Sequence, residues 1–205
     1  YKDYYGLIPL IAKNYIGYKN IIELSSKSYL ENASTHDPHC NFDDLIDFRD
    51  GIIILSGSIN SLSGNLFNKG LLDEVTSIYK TLSKNSSDNF FIEIQRHNDV
   101  NEKQFENYNL EQSKILNLPI IATNEVFYID KSMHEAHDAL MCIGQKTYVN
   151  DGNRNKLSNN HYLKSSDEMI ELFKDLPEAL KNNFILPYRC NYRPLPSKPI
   201  LPNIS

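Results

Sequence analysis

The sequence predicts an α/β fold, and three observations carry that reading. Four apolar runs have strand length: Leu7 to Ala12, Gly51 to Leu55, Phe90 to Ile94 and Pro119 to Ala122. Helix-length stretches lie between them, each with one apolar stripe at i, i+3 and i+4 spacing. The chain of 205 residues, 40% hydrophobic and 11% aromatic, has the length of one domain and the apolar content to bury a core. Strands alternating with helices in this way imply parallel strands covered by helices. Pattern alone leaves an open sheet and a closed barrel equally possible.

Taken in chain order, the first strand candidate leads into a helical stripe of Tyr18, Ile21, Ile22 and Tyr29. The second leads into Leu71, Val75, Ile78 and Leu82, and the third into Phe105, Tyr108, Gln112 and Ile115. After the fourth, Ser132 to Ile143 places Met133, Ala136, Ala139, Leu140 and Ile143 on one helical face. Asn150 to Asn160 is rich in Asn and has no apolar period, which predicts a weakly ordered loop. Ser165 and Glu168 form a capping box ahead of Met169, Leu172 and Phe173. Pro187 lacks a backbone donor and crowds the carbonyl of Asn183, so a helix there should kink or end early. Pro194, Pro196, Pro199 and Pro202 predict an extended connector.

Charge and cysteine usage narrow the function classes. A formal charge of -5 and a pI of about 5.7 give the chain no electrostatic footprint for a phosphate backbone, so direct nucleic-acid binding by the chain alone is not expected. Cys40, Cys142 and Cys190 are odd in number and far apart, which speaks for reduced cytoplasmic thiols rather than disulfides or a zinc cluster. No apolar run reaches the length of a membrane span and no signal-peptide pattern opens the sequence.

The most informative stretch is Leu118 to Asp130 (LPIIATNEVFYID), where a short buried run passes into polar and aromatic groups at a strand's C-terminal end. Upstream lie Leu10 to Asn14 (LIAKN), Gly17 to Asn20 (GYKN), Gly51 to Gly57 (GIIILSG) and Phe90 to Gln95 (FFIEIQ). Downstream come Tyr162 to Ser165, Pro177 to Leu180 and Arg189-Cys190-Asn191. In this order and spacing the blocks resemble the PHP (polymerase and histidinol phosphatase) domain of the bacterial DNA polymerase III alpha subunit. The resemblance implies an irregular (β/α)7 barrel lacking its first strands. It assigns residues 1–193 to the PHP domain and 194–205 to the connector toward an absent polymerase region.

PHP domains with activity hold divalent metals that generate hydroxide and clamp a phosphate ester, which requires His, Asp, Glu or Cys side chains with lone pairs to give. Carried over position by position, the family's ligand positions fall at Leu7, Ser58, Glu125 and Phe127. Glu125 alone remains a good ligand, and the hydrocarbon of Leu7 and Phe127 leaves a bare cation poorly solvated there. No catalytic residue, metal or cofactor is therefore expected, with Glu125 and His97 as the residual metal candidates. His36 and His39, flanking Asp37 and Cys40, have no second ligand pair, and His134 and His137 are expected in helix packing. Asn124 reads as a structural hydrogen bonder.

The resemblance thus implies a catalytically degenerate domain serving as scaffold and docking surface in a cytoplasmic replicative polymerase. The rest of the alpha subunit and the proofreading exonuclease subunit are its implied partners. The alternative is a metal-dependent phosphoesterase with 3′-5′ exonuclease activity, which the residues at Leu7, Ser58 and Phe127 disfavour. A standalone phosphatase is disfavoured by the Arg189-Cys190-Asn191 block and the proline-rich exit.

Overall fold

A computed structural model describes residues 1–31, 37–154 and 156–196; His36, Pro199 and Pro202, on which three of the sequence readings fall, lie outside the described residues. Four strands form one sheet in the order β1-β2-β3-β4: Leu10–Ala12, Ile52–Leu55, Phe90–Ile94 and Ile120–Ala122. All four strand candidates are thus present, trimmed at their ends. Strands β2 to β4 run parallel, in register Ile54 with Phe90 and Ile92 with Ile120. The expectation of parallel strands fails at β1, which pairs antiparallel with β2 through Leu10–Ile54, Ile11–Ile53 and Ala12–Ile52. The two helices that follow β1, α1 (Tyr15–Leu30) and α2 (Phe42–Asp47), return the chain to the end of β1 at which it left, not to its start. The sheet is open, with β1 and β4 at its edges among the described residues.

Near-continuous apolar strands are buried on both faces. Ile52, Ile54, Phe90, Ile92, Ile94 and Ile120 pack into the larger core with Val75, Ile78, Tyr79 and Leu82 of α4 (Leu72–Asn85) and with Phe173. Alternate residues Ile53, Leu55, Phe91 and Ile121 meet Leu186 on the other face. Between β2 and α4, helix α3 (Leu62–Asn68) contributes buried Leu62 and Leu66. Burying Ile52 to Ile54, each with no accessible surface, contributes about 1.5–3 kcal/mol per side chain before entropy is counted.

Two glycines set the approach of α1 to the sheet. Gly51 has φ +73°, a region L side chains avoid, and a Cβ on Gly17 would stand 1.8 Å from the Gly51 carbonyl oxygen. The close contact turns Gly17, Ile21 and Leu24 inward, so Ile22 and Tyr29 of the expected stripe are exposed. In α5 (Glu102–Leu116) Phe105 and Gln112 are buried as expected, but Ile115 is exposed and Glu102, Glu106 and Asn109 are buried in its stead. Polar partners, including the Tyr79 hydroxyl that donates to Asn109 Oδ1 at 2.8 Å, make that burial possible.

The largest departure is α6 (His134–Gln145). Its apolar face is turned to solvent, with Leu140 64% and Ile143 75% exposed, whereas Asp138 and Cys142 are buried. Asp138 faces inward because Arg154 grips it bidentately at 2.5 and 2.6 Å. The stretch 150–160, apart from residue 155, which lies outside the described residues, is an irregular loop as expected, and the same grip ties it to α6. Ser158 and Asn160 both donate to the His97 carbonyl, and the Tyr128 hydroxyl donates to the Ser158 carbonyl at 3.0 Å. Helix α7 (Ser166–Leu172) starts at the anticipated Ser165–Glu168 capping box, and α8 (Pro177–Ile185) stops two residues before Pro187, where a 3-10 turn takes over. The three cysteines are free thiols. No helix among the described residues is long and apolar enough to cross a membrane.

Candidate functional site at the strand ends

Parallel pairing gathers the C-terminal ends of β2, β3 and β4 at one end of the sheet, so Ser56 to Ser58, Gln95 to Asp99 and Thr123 to Phe127 converge there. Antiparallel β1 brings its N-terminal end to the same place, since Leu55 donates to the Pro9 carbonyl and Leu62 to the Leu7 carbonyl, both at 3.0 Å. Of the four positions carried over from the family, Leu7 is 77% exposed hydrocarbon and Phe127 45% exposed, beside the rings of His137 and His161. Ser58 accepts from the Asn60 backbone N–H. Glu125 Oε2 lies 3.8 Å from His161 Nδ1.

Residues the sequence reading had not joined form the centre. His97, buried at the end of β3, stacks on His161 with ring centroids 4.0 Å apart and planes 5° from parallel. His97 Nδ1 lies 3.3 Å from Glu102 Oε1 and Nε2 lies 3.1 Å from Asn124 Oδ1. His161 is fully buried, with Nδ1 3.2 Å from the Glu125 carbonyl and Nε2 3.2 Å from Asp99 Oδ2. The orientation of the Asn124 amide is fixed, because its Nδ2 donates to the Tyr162 carbonyl at 2.9 Å and its Oδ1 receives Lys164 Nζ at 2.9 Å. This is the structural role expected of Asn124. Burial works against the charge of Asp99, but the hydrogen bond from His161 and the nearby imidazoles outweigh it and hold the carboxyl below its usual range.

Two further features surround the pair. Glu93 on β3 is buried, with Oε1 held by Thr123 and by Gln95 Nε2 (3.0 Å) and, among the described residues, no hydrogen-bond partner for Oε2; burial pushes its carboxyl above the usual range. On the outer side a groove of about 490 Å³ is lined by Arg96, Asn98, Asn160, Tyr162 and Lys164. Burial lowers the Lys164 ammonium from its ordinary value, with Glu168 and Glu102 acting in the opposite sense.

The resemblance drawn from the sequence implies divalent ions at the strand ends of active relatives. Side-chain donor atoms of His97, Asp99 and His161 all lie within 4.8 Å of one another, near the separation a shared ion requires. Orientation, however, does not fit. An imidazole gives its lone pair in the plane of its ring, and two parallel stacked planes share no point where one ion could sit. His97 Nε2 also faces Asn124 Oδ1 and His161 Nδ1 faces the Glu125 carbonyl, so each ring has one nitrogen committed as a donor to a neutral oxygen. Proximity therefore describes a hydrogen-bonded cluster and not a ligand set.

The expected metal candidates thus separate. His97 and Glu125 enter the cluster, joined by His161 and Asp99. His39 bonds the Asp37 carbonyl and Cys40 the Leu24 carbonyl, while His134 bonds the Leu157 carbonyl and His137 packs on Phe127 and Tyr128. The signal for His161 was its place beside Tyr162-Leu163-Lys164, a short extended run that bridges in parallel to Tyr128.

The mixed α/β sheet and the motif order are consistent with a PHP domain, and residues 2–97 match the family model described as PHP domain. The matched segment, 96 of the 205 residues, belongs to this family. Over nearly its whole length it is similar to DNA polymerase III subunit alpha of several bacteria. It is 38% identical to that of Rickettsia prowazekii over 202 residues, covering 98% of this chain and 17% of that protein. The Vibrio cholerae protein is 34% identical over 197 residues and the Caulobacter vibrioides protein 32% over 196, each covering 96% of this chain and 17% of the relative. The chain thus spans about a sixth of the length of these relatives.

Proposed function

We propose that this PHP domain is a catalytically degenerate part of a replicative DNA polymerase alpha subunit, acting in the cytoplasm as a scaffold and docking surface. The remainder of the subunit is its first partner and the proofreading exonuclease subunit its second, within an irregular (β/α)7 barrel of which the four-stranded sheet is one part. The observation that carries the reading is the state of the strand ends. Hydrocarbon stands at Leu7 and Phe127, and the parallel stacked rings of His97 and His161 aim no two lone pairs at one point. Hydrolysis of a phosphate ester needs a metal-activated water, and no such water can be generated by that set. Polymerisation needs carboxylates that hold two metals at a primer terminus, which this domain does not supply.

Incubation of the purified chain with 5′-labelled single-stranded DNA and Mg²⁺, Mn²⁺ or Zn²⁺ tests the proposal. The expected result is no shortening of the strand. Metal-dependent shortening that disappears in Glu125→Ala would establish the phosphoesterase reading instead.

A further inference from the structure

Three carboxylates, Asp99, Glu102 and Glu125, converge on the buried stacked histidines, with side chains 15%, 10% and 36% exposed. Buried negative charge needs a counter-cation. The groups positioned to supply it are the imidazoles themselves and Lys164. Lys164 Nζ donates to Asn124 Oδ1 at 2.9 Å and to the Asn160 carbonyl, and lies 4.7 Å from the Tyr162 ring centroid. Among the described residues no carboxylate stands within 4 Å of it; Glu102 and Glu168 act on it from farther away. Its ligands are therefore neutral oxygens and an aromatic face, the surroundings of a bound cation more than of one half of an ion pair.

Asn124 Oδ1 is the shared point. It accepts from His97 Nε2 and from Lys164 Nζ, so the ammonium and the imidazole are joined through one oxygen at the end of β4. Around that oxygen three separate stretches meet. The end of β3 brings His97, the end of β4 brings Asn124 and Glu125, and residues 157–164 bring Asn160, His161 and Lys164. The last stretch is further tied by Asn160 Nδ2 to the His97 carbonyl at 3.1 Å and by the Phe127 N–H to the His161 carbonyl at 2.9 Å.

We propose that the Lys164 ammonium is the resident cation of this site, a protein-borne substitute for a divalent ion that clamps residues 157–164 onto the ends of β3 and β4. The inference rests on the reading of the site as metal-free. It differs from that reading in assigning the organising charge to one side chain. Lys164 is a positioning residue, acting through Asn124 on His97.

The experiment compares the wild-type chain with Lys164→Met, which keeps the aliphatic stem and deletes the charge, and Lys164→Gln, which keeps a hydrogen-bond donor without charge. Melting temperature and amide hydrogen exchange are read with and without zinc chloride. Both variants should melt roughly 3–10 °C lower, as expected for loss of a charged, partly buried hydrogen bond in a chain of this size. Exchange protection should fall at 97–99, 124–128 and 157–164 and hold in β2. With the clamp gone His97 is free to turn, so zinc should recover much of the lost melting temperature in the variants and none in the wild type.

Variants as stable as the wild type, or destabilised variants that zinc does not restore, overturn the role of Lys164 and leave the metal-free reading intact. Lys164→Gln behaving as wild type would show that donation, not charge, is what matters, and overturns it also. Stoichiometric zinc uptake by the wild type overturns both. That last arm needs no variant to fold.

Discussion

Replacing Arg96 with Met should be the most damaging single change near the strand ends that touches none of the clustered histidines. The Arg96 guanidinium spends every N–H. Nε and Nη2 bind Glu106 at 3.0 and 2.7 Å, Nη1 and Nη2 bind Asp175 at 2.7 and 2.8 Å, and Nη1 also reaches the Leu172 carbonyl at 2.6 Å. Its plane lies over Phe173, 4.8 Å from the centroid. One side chain thereby ties β3 to α5 and to the α7–α8 connection. The two carboxylates are not equal in weight. Asp175 is 59% exposed, so water screens its share to about 0.5 kcal/mol. Glu106 is 3% exposed, and stripping the partner from a buried carboxylate costs about 3–5 kcal/mol.

Lys103, 2.9 Å from Glu106 Oε1, survives the substitution and softens the loss. We expect a net loss of about 3 kcal/mol, or roughly 6–12 °C in melting temperature for a chain of this length. Urea titration followed by circular dichroism gives the free energy, and Glu106→Gln in the Arg96→Met background should recover a large part of it by removing the stranded charge. The acid limb should also change. Arg96 holds the Asp175 carboxyl at about 2, below its ordinary value, so that group adds stability above its unfolded pKa that is lost as pH falls through 4 toward 2. Arg96→Met should flatten this fall. A loss under about 1 kcal/mol, with no relief from Glu106→Gln, would refute the weighting of the two carboxylates.

Gly17→Ala should cost about 3 kcal/mol or more, since its methyl carbon would stand 1.8 Å from the Gly51 carbonyl oxygen, a backbone atom that cannot move aside cheaply; thermal melts of the variant check this. Glu93 binds its proton more tightly folded than unfolded, so its contribution is present at acid pH and is lost as pH rises through its folded pKa. Glu93→Gln should therefore stabilise the chain at neutral pH by about 1 kcal/mol and remove part of the decline above the usual carboxylate range, as read from urea midpoints across pH. At the edge of the sheet, Pro9 and Lys13 bond inward to β2, which turns the backbone of Leu10 and Ala12 outward beside exposed Leu7. Sedimentation velocity should show concentration-dependent association, and a monodisperse monomer at high concentration would contradict it.

Strand positions were legible because runs such as Ile52 to Leu55 are apolar on both faces and leave no other reading. The direction of β1 was not, because a three-residue strand carries no mark of its orientation, and the return path through α1 and α2 decides it. Helix faces were read correctly where apolar side chains alone fill them, as at Val75, Ile78 and Leu82. They were misread where charged partners from distant segments turn a helix, as Arg154 does to α6 through Asp138. The same limit hid the centre of the site. Glu125, Phe127 and Lys164 sit in motif blocks and His97 lies two residues past one, but their partnership with His161 and Asp99 is made between distant segments with no period to read.

Metal content is the most direct test of the strand-end account. The chain, purified without chelator and dialysed against zinc and manganese in turn, should carry far less than one ion per molecule by elemental analysis, and His97→Ala or Glu125→Ala should leave that trace unchanged. About one zinc or manganese per chain, lost in either variant, would contradict the account.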